Sequence, residues 1–327
     1  MLYHHLFGMY AVVEATKEKA LQDSTFLLFH NGAIYGKICV GIFVFITGYG
    51  FYASIDKNNE NCFYSGAKKL QKFYPFFLFM CILYYVLACI FPYGYYMQPN
   101  RLPYILLNMV GLCHGIPDYW YIMIVLGSAL GLYPSLVWAL KKNTTIHHFL
   151  VIALLSTSGI IYFLDTFQAI ADPVYFSLIR KIAHVVSFIP FFLLGWTYNQ
   201  YISTPNTTLL SMVSLCFTVC VLCYPIGMII FIATILLTKL LSINHSLISK
   251  TLSFLGSYSA CMWLNHRLIF GYWFQDYFYT LSTPLNLIIL IILSLLLSFI
   301  ITHLWFKLRS LLKKWLSKTK QIPANDK

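Results

Sequence analysis

The chain has 327 residues, of which 59% are hydrophobic, 18% are aromatic and only 10% are charged. Soluble globular domains carry about 25% charged residues, so the composition excludes a water-soluble fold and predicts an integral membrane protein. The formal net charge is +12, but the lysines and arginines lie in short segments between apolar runs and in the tail KLRSLLKKWLSKTK. That placement is typical of topology signals and lipid-headgroup contacts, and we expect no nucleic-acid partner.

The apolar runs predict nine full membrane helices after a short opening fragment, which together form an all-α polytopic bundle. The predicted ranges are 38–54, 74–92, 119–140, 149–164, three helices within 182–238, 251–271 and 284–306. Proline and asparagine predict breaks in the long run at 199–206 and at Tyr224-Pro225. The proline-flanked segment 102–117 is too short to cross, and we expect it to lie at the interface or to re-enter the membrane.

The opening, MLYHHLFGMYAVVEA, has 13 residues before its first charge at Glu14. Such a helix spans about 20 Å, whereas the hydrocarbon core of a bilayer is about 30 Å thick. We count this fragment as a tenth, truncated helix and expect roughly seven or more residues upstream of it. With an even number of crossings, both termini lie in the cytoplasm together with the lysine-rich segments, as the positive-inside rule requires.

Two adjacent histidines, His4 and His5, lie near mid-membrane if that helix is completed upstream. Ionisable groups at this depth are costly, up to about 3 kcal/mol for full charges, and usually face the bundle interior. Histidine is also a natural general base near neutral pH. A hydrogen bond to a neighbouring helix is the structural alternative for either residue alone, whereas an adjacent pair with nothing else polar nearby favours a functional role.

A basic cluster precedes the second full helix, in GAKKLQKFYPFF at 66–77. Lys68, Lys69 and Lys72 share a helix face because they are separated by three and four residues. Such a cluster suits the phosphates of a cytoplasmic donor that carries a nucleotide. The alternative is a plain positive-inside anchor, which the cluster taken alone favours.

A third polar feature lies in GSYSACMWLNHRLIFGYW at 256–273. Ser259 and His266 are seven residues apart, which places them on one helix face, and Asn265-His266-Arg267 forms a polar group near the helix end. Structural packing explains these residues as well as function does. The same holds for Trp120 in PDYWYIMIVL, because an aromatic belt at the membrane surface accounts for it.

Taken in order, these motifs resemble the acyltransferase family 3 group of bacterial membrane proteins, whose members O-acylate surface carbohydrates. The opening MLYHHLFG is similar to the histidine end of the family's first helix, whose basic partner residue would lie upstream of this sequence. The resemblance extends, in order, over essentially the whole chain and implies ten helices. The other matching segments are Thr47-Gly48-Tyr49 within 36–54, Lys68 to Pro75, Asp118 to Tyr121, Pro190 to Gly195, and Ser259 to His266.

The resemblance implies a membrane O-acetyltransferase of the bacterial inner membrane, with a membrane acyltransferase domain at 1–306 and a basic cytoplasmic tail at 307–327. Acetyl-CoA or another acyl-CoA is the expected donor substrate, and it binds from the cytoplasm with its phosphates near Lys69, Lys72 and Lys68. No bound cofactor and no metal ion are expected. The expected partners are therefore the acyl-CoA, the glycan and membrane lipid.

On the acceptor side, the resemblance implies that His5, or else His4, is the general base on a hydroxyl of a surface polysaccharide or its lipid-linked precursor. Trp120, His266 and Ser259 are the expected substrate-binding residues. Two other classes stay open, namely a transporter or flippase of such a precursor and a glycan polymerase. A transporter would contain broken helices and an inverted repeat, and the sequence shows no repeat. A polymerase would contain a large outer loop with arginine and acidic residues, whereas the longest outer loops expected here are modest.

Overall fold

The computed structural model describes residues 24–33, 38–58, 62–90, 127–134, 173–223, 232, 246–269 and 282–319, and all regular structure in these ranges is helical. These ranges contain seven α-helices, with a π-helical turn at Ser128–Leu132 between the third and the fourth. They are α1 (Ser24–Ala33), α2 (Ile38–Asn58), α3 (Cys62–Ile90), α4 (Pro173–Ser203), α5 (Thr207–Cys223), α6 (Ser246–Leu268) and α7 (Thr283–Thr319).

The described ranges confirm the all-helical prediction, but most helices are longer than the apolar runs suggested. Helix α2 begins at the predicted residue, whereas α3 begins at Cys62 rather than near residue 74. Helix α7 continues past residue 306 to Thr319. The boundaries were wrong because hydropathy marks the part of a helix that suits lipid, while backbone hydrogen bonding continues through polar residues at the membrane surface.

Proline does not end the long helices, since Pro75 lies inside α3 and Pro190 inside α4. The predicted break at 199–206 is narrower than expected, because α4 continues to Ser203 and α5 starts at Thr207. Asn206 caps the new helix: its side-chain oxygen accepts a 2.8 Å hydrogen bond from the backbone N–H of Leu209. The predicted helix 149–164, the segment 102–117 and the break at residues 224–225 lie outside the described residues.

Within the described residues, two helices are long and apolar enough to cross a bilayer, over Tyr64–Leu87 and Pro284–Trp315. Val40–Ser54 and Thr207–Val221 are shorter apolar helices. Large apolar side chains on α7 point outward, among them Leu296 and Phe299, as expected for a surface that contacts lipid. The number of ten crossings stays a prediction, because much of the chain lies outside the described ranges.

The chain divides into two compact units, which we call the central unit (Tyr35–Leu240) and the terminal unit (Met1–Ile34 with Leu241–Lys327). In the central unit α2 packs along α4, α4 packs on α5, and the π-helical turn contacts α2 and α3. In the terminal unit α6 packs along α7, which also contacts α1. The largest fully buried side chains of the described ranges all lie in the central unit: Phe51, Phe77, Met80, Tyr84, Tyr133, Phe191 and Phe192.

Candidate functional site

Two glycines bring the backbones of α2 and α4 into direct contact. A Cβ atom at Gly48 would overlap the carbonyl oxygen of Phe192, and a Cβ at Gly195 would overlap the carbonyl oxygen of Phe45. Because those atoms belong to backbone, no small side-chain movement can make room. Small residues at such crossings are typical of helix pairs in membranes. The contact joins two of the sequence motifs described above, Thr47-Gly48-Tyr49 and Pro190 to Gly195.

Polar and aromatic contacts extend this interface along the two helices. The buried side-chain amide of Asn199 donates a 2.9 Å hydrogen bond to the backbone carbonyl of Tyr49, across 150 residues of sequence. One turn away, the rings of Tyr52 and Trp196 meet edge to face with centroids 5.5 Å apart. The α2–α4 pair therefore has a defined register, and the residues that follow Gly48 on α2 take fixed positions.

The π-helical turn packs against the start of α3. A Cβ at Gly66 would overlap the carbonyl oxygen of Leu130, so glycine is required for this approach. Tyr133, at the end of the turn, donates a 2.6 Å hydrogen bond from its hydroxyl to the carbonyl of Val185 on α4. Short π-helical turns inside α-helices frequently occur at functional sites. This one joins α3 to the interior of the central unit just before the lysine cluster.

The three lysines of that cluster differ in their surroundings. The Nζ atom of Lys69 lies 3.6 Å from the ring centroid of Phe51, on α2. The Nζ atom of Lys68 lies 5.9 Å from the ring of Tyr64, which is 62% exposed. Lys68 and Lys72 are exposed, whereas Lys69 is half-buried. Their binding of a donor stays a prediction, but only Lys69 has its ammonium against a buried ring among the described lysines.

Phe51 connects this ammonium to the α2–α4 interface. Its ring is fully buried and lies 6.0 Å from the ring of Phe192, whose backbone contacts Gly48. The Cζ atom of Phe51 lies 3.6 Å from the position of a Cβ at Gly66. We call Phe51, Gly66, Lys69, Leu130 and Phe192 the Phe51 cluster. It brings together the lysine motif and both glycine motifs, which are distant from one another in the sequence.

In the terminal unit, α6 carries two of the predicted substrate-binding residues. His266 is 1% exposed, and its Nδ1 atom lies 2.5 Å from the carbonyl oxygen of Trp263. Because a carbonyl oxygen only accepts, Nδ1 carries the proton in this contact. Ser259 is exposed. The two residues share a helix face by spacing but differ in burial, so the structure does not bring them together in one buried site.

Asn265 joins α6 to α7 next to His266. Its side-chain amide donates to the hydroxyl of Ser298 at 2.8 Å and to the carbonyl of Ser294 at 3.2 Å. The hydroxyl of Ser298 donates to the same carbonyl at 2.6 Å. All three residues are fully buried. In the part of the chain that the structure describes, the Asn265 side-chain oxygen and the Ser294 hydroxyl have no hydrogen-bond partner, which leaves polar capacity for water or a substrate group.

Sequence analysis singled out the lysines and His266, whose binding roles stay predictions, but it did not identify the residues that join the helices around Lys69. Phe51, Gly66 and Asn199 act across helices that are far apart in sequence, and no local pattern pairs them. His4, His5 and Trp120 lie outside the described residues, so their predicted roles stay predictions.

Comparison with known proteins gives one match. A family model described as an acyltransferase domain matches residues 1–303. No curated protein and no solved structure gives a significant match.

Proposed function

The chain belongs to acyltransferase family 3, and we propose that it is a membrane O-acetyltransferase acting on a surface polysaccharide or its lipid-linked precursor. In this reaction the thioester of an acyl-CoA breaks and an ester forms on a sugar hydroxyl. The hydroxyl proton leaves through a base, and the CoA thiol is the leaving group. The observation that carries the proposal is the family match over residues 1–303 of the 327 in the chain.

The donor side is proposed to lie at the start of α3. Lys69 is half-buried and Lys68 and Lys72 are exposed there, which gives three positive charges within two helical turns. Phosphate groups bind lysine ammonium groups by charge-assisted hydrogen bonds. A CoA molecule carries several phosphates, so a cluster of one half-buried and two exposed lysines suits it.

On the acceptor side, His5 or His4 is proposed as the general base that takes the proton of the sugar hydroxyl. His266, Ser259 and Trp120 are proposed to bind the sugar. The ring of His266 is buried on α6, and its Nδ1 atom contacts the carbonyl oxygen of Trp263.

The membrane placement is proposed as ten crossings of the bacterial inner membrane with both termini in the cytoplasm. Helix α7 has 37 residues and is therefore about 55 Å long, well beyond the ~30 Å hydrocarbon core. Its final turns carry exposed Lys307, Arg309, Lys313 and Lys314. Basic residues at the end of a crossing support a cytoplasmic position for the tail 307–327, in contact with anionic lipid.

Binding of labelled acetyl-CoA to the purified full chain in lipid nanodiscs tests the donor side. We expect saturable binding that unlabelled CoA displaces, and we expect Lys69→Met to weaken it about tenfold or more. Lys250→Met is the matched control, because Lys250 is an exposed lysine on α6 and should leave the Kd unchanged. Folded protein that binds no acetyl-CoA would contradict the proposal and favour a transporter or flippase of the glycan precursor.

A further inference from the structure

We propose that Phe51 is a positioning residue for donor binding, because its ring holds the ammonium of Lys69 where the phosphates of an acyl-CoA bind. The inference rests on the proposed function, since it concerns the donor side of that reaction. It adds to the site a residue that lies on a different helix from the lysines and carries no polar side-chain atom.

The distance between the two groups defines a cation–π contact. The ammonium nitrogen of Lys69 lies 3.6 Å from the centroid of the Phe51 ring, well inside the ~6 Å limit for such contacts. The ring is 0% exposed, and Lys69 is half-buried. Cation–π attraction is strongest where water is excluded. The contact therefore restricts the orientation of the Lys69 side chain, whereas a fully hydrated lysine at a membrane surface has no such restriction.

Both partners of this contact are fixed by the surrounding helices. The Phe51 ring packs on Phe192, whose backbone touches Gly48 across the α2–α4 interface. On the other side, Gly66 lets the start of α3 approach Leu130, and Lys69 follows Gly66 by less than one turn. The position of the ammonium thus depends on the two interhelical contacts that only glycine permits.

The other two lysines of the cluster lack a contact with a buried ring and so provide a comparison for Lys69. Lys68 is exposed, and its Nζ atom lies 5.9 Å from the centroid of the mostly exposed Tyr64 ring, farther than Lys69 lies from Phe51. Lys72 is also exposed. A free lysine loses rotamer freedom when it binds phosphate, whereas a lysine that is already held loses less. A lysine ammonium has three N–H donors, and a contact with a ring face is compatible with charge-assisted hydrogen bonds to phosphate. Phe51 therefore raises donor affinity through Lys69 without touching the donor.

A double-mutant cycle on acetyl-CoA binding tests this coupling. The Kd is measured for the full chain in nanodiscs as wild type, Phe51→Leu, Lys69→Met and the double variant. We expect Phe51→Leu to weaken binding about 5- to 30-fold in the wild-type background. In the Lys69→Met background the same change should alter the Kd less than about twofold, because the ring then has no cation to hold.

A control separates positioning from loss of packing. Phe77 is equally buried, and the centroid of its ring lies 6.4 Å from those of the Phe73 and Tyr74 rings on α3. Phe77→Leu should lower thermal stability about as much as Phe51→Leu while leaving the Kd for acetyl-CoA unchanged. If Phe51→Leu does not fold, pentafluorophenylalanine at position 51 keeps the ring shape and weakens its attraction for a cation, and it should weaken binding in the same direction.

Two outcomes overturn the inference, and they are distinguishable. Equal weakening by Phe51→Leu in both backgrounds, or no weakening at all, shows that the ring contributes packing only and leaves the proposed function intact. A folded wild-type chain that binds no acetyl-CoA overturns the donor side of the proposed function, and this inference fails with it.

Discussion

In the central unit, α2 and α4 meet backbone to backbone at Gly48 and Gly195, and aromatic side chains fill the space around that contact. In the terminal unit, α6 and α7 are joined by hydrogen bonds from Asn265 to two serines. Lipid gives no hydrophobic drive for helices to associate, so close packing and interhelical hydrogen bonds are the two available means. Backbone packing at glycines characterises the α2–α4 contact, with one added hydrogen bond from Asn199, whereas hydrogen bonds from Asn265 join α6 to α7. The two contacts should therefore respond differently to substitution.

The backbone contact should tolerate substitution least. Gly195→Ala places a Cβ against the carbonyl of Phe45 and the N–H of Tyr49, so the two helices must separate. We expect a loss of about 3 kcal/mol or more in the free energy of unfolding, at the upper end of overpacking effects. The measurement is thermal or denaturant unfolding in detergent. Gly50→Ala is the control, because nothing lies within 4 Å of a Cβ there, and it should be neutral or slightly stabilising.

An unfolding curve of Gly195→Ala that overlays the Gly50→Ala curve would contradict the backbone contact. Gly48→Ala sharpens the test, since its Cβ meets the carbonyl of Phe192 and should destabilise by a similar amount. Because Phe192 also packs on Phe51, this second variant should disturb the Phe51 cluster more than a variant further from it.

The polar contact in the terminal unit should matter less. Asn265→Leu keeps the branching and the number of heavy atoms of the side chain but removes the two hydrogen bonds donated to α7. The Ser294 carbonyl still accepts from Ser298, and an unpartnered buried amide oxygen is removed at the same time. We therefore expect a loss of only about 1 kcal/mol in the free energy of unfolding.

The effect of Asn265→Leu is measured by amide hydrogen exchange, with the protection of each helix determined separately. Protection should fall in α6 and α7, while α2 and α4 keep theirs. The exposed hydroxyl of Ser257 bonds only within its own helix, so Ser257→Ala is the control and should change nothing. A loss comparable to that of Gly195→Ala would show that the network, and not packing, dominates this unit.

The sequence predicted features that depend on neighbouring residues, and it did not predict contacts between residues that are distant along the chain. Continuous apolar runs identify α2 and the lipid-embedded part of α7, because both signals are local. The lysine cluster was also readable, since three charges at the start of an apolar helix stand out. Phe51 beneath Lys69 was not readable, because the two side chains meet only once α2 and α3 have packed. The Asn265 contacts likewise depend on the register of α6 against α7, which hydropathy does not encode.

The smallest loss of stability is expected for Asn199, because its hydrogen bond adds to the α2–α4 contact that Gly48 and Gly195 already define. Asn199 donates one bond to the carbonyl of Tyr49, whereas Asn265 donates two. A single interhelical bond in a membrane contributes about 0.6 kcal/mol on average, so Asn199→Ala should lower the free energy of unfolding by about that amount plus its lost packing. Unfolding at equilibrium checks the value. A loss larger than that of Gly195→Ala would mean that the hydrogen bond sets the α2–α4 register and that the glycines only allow it.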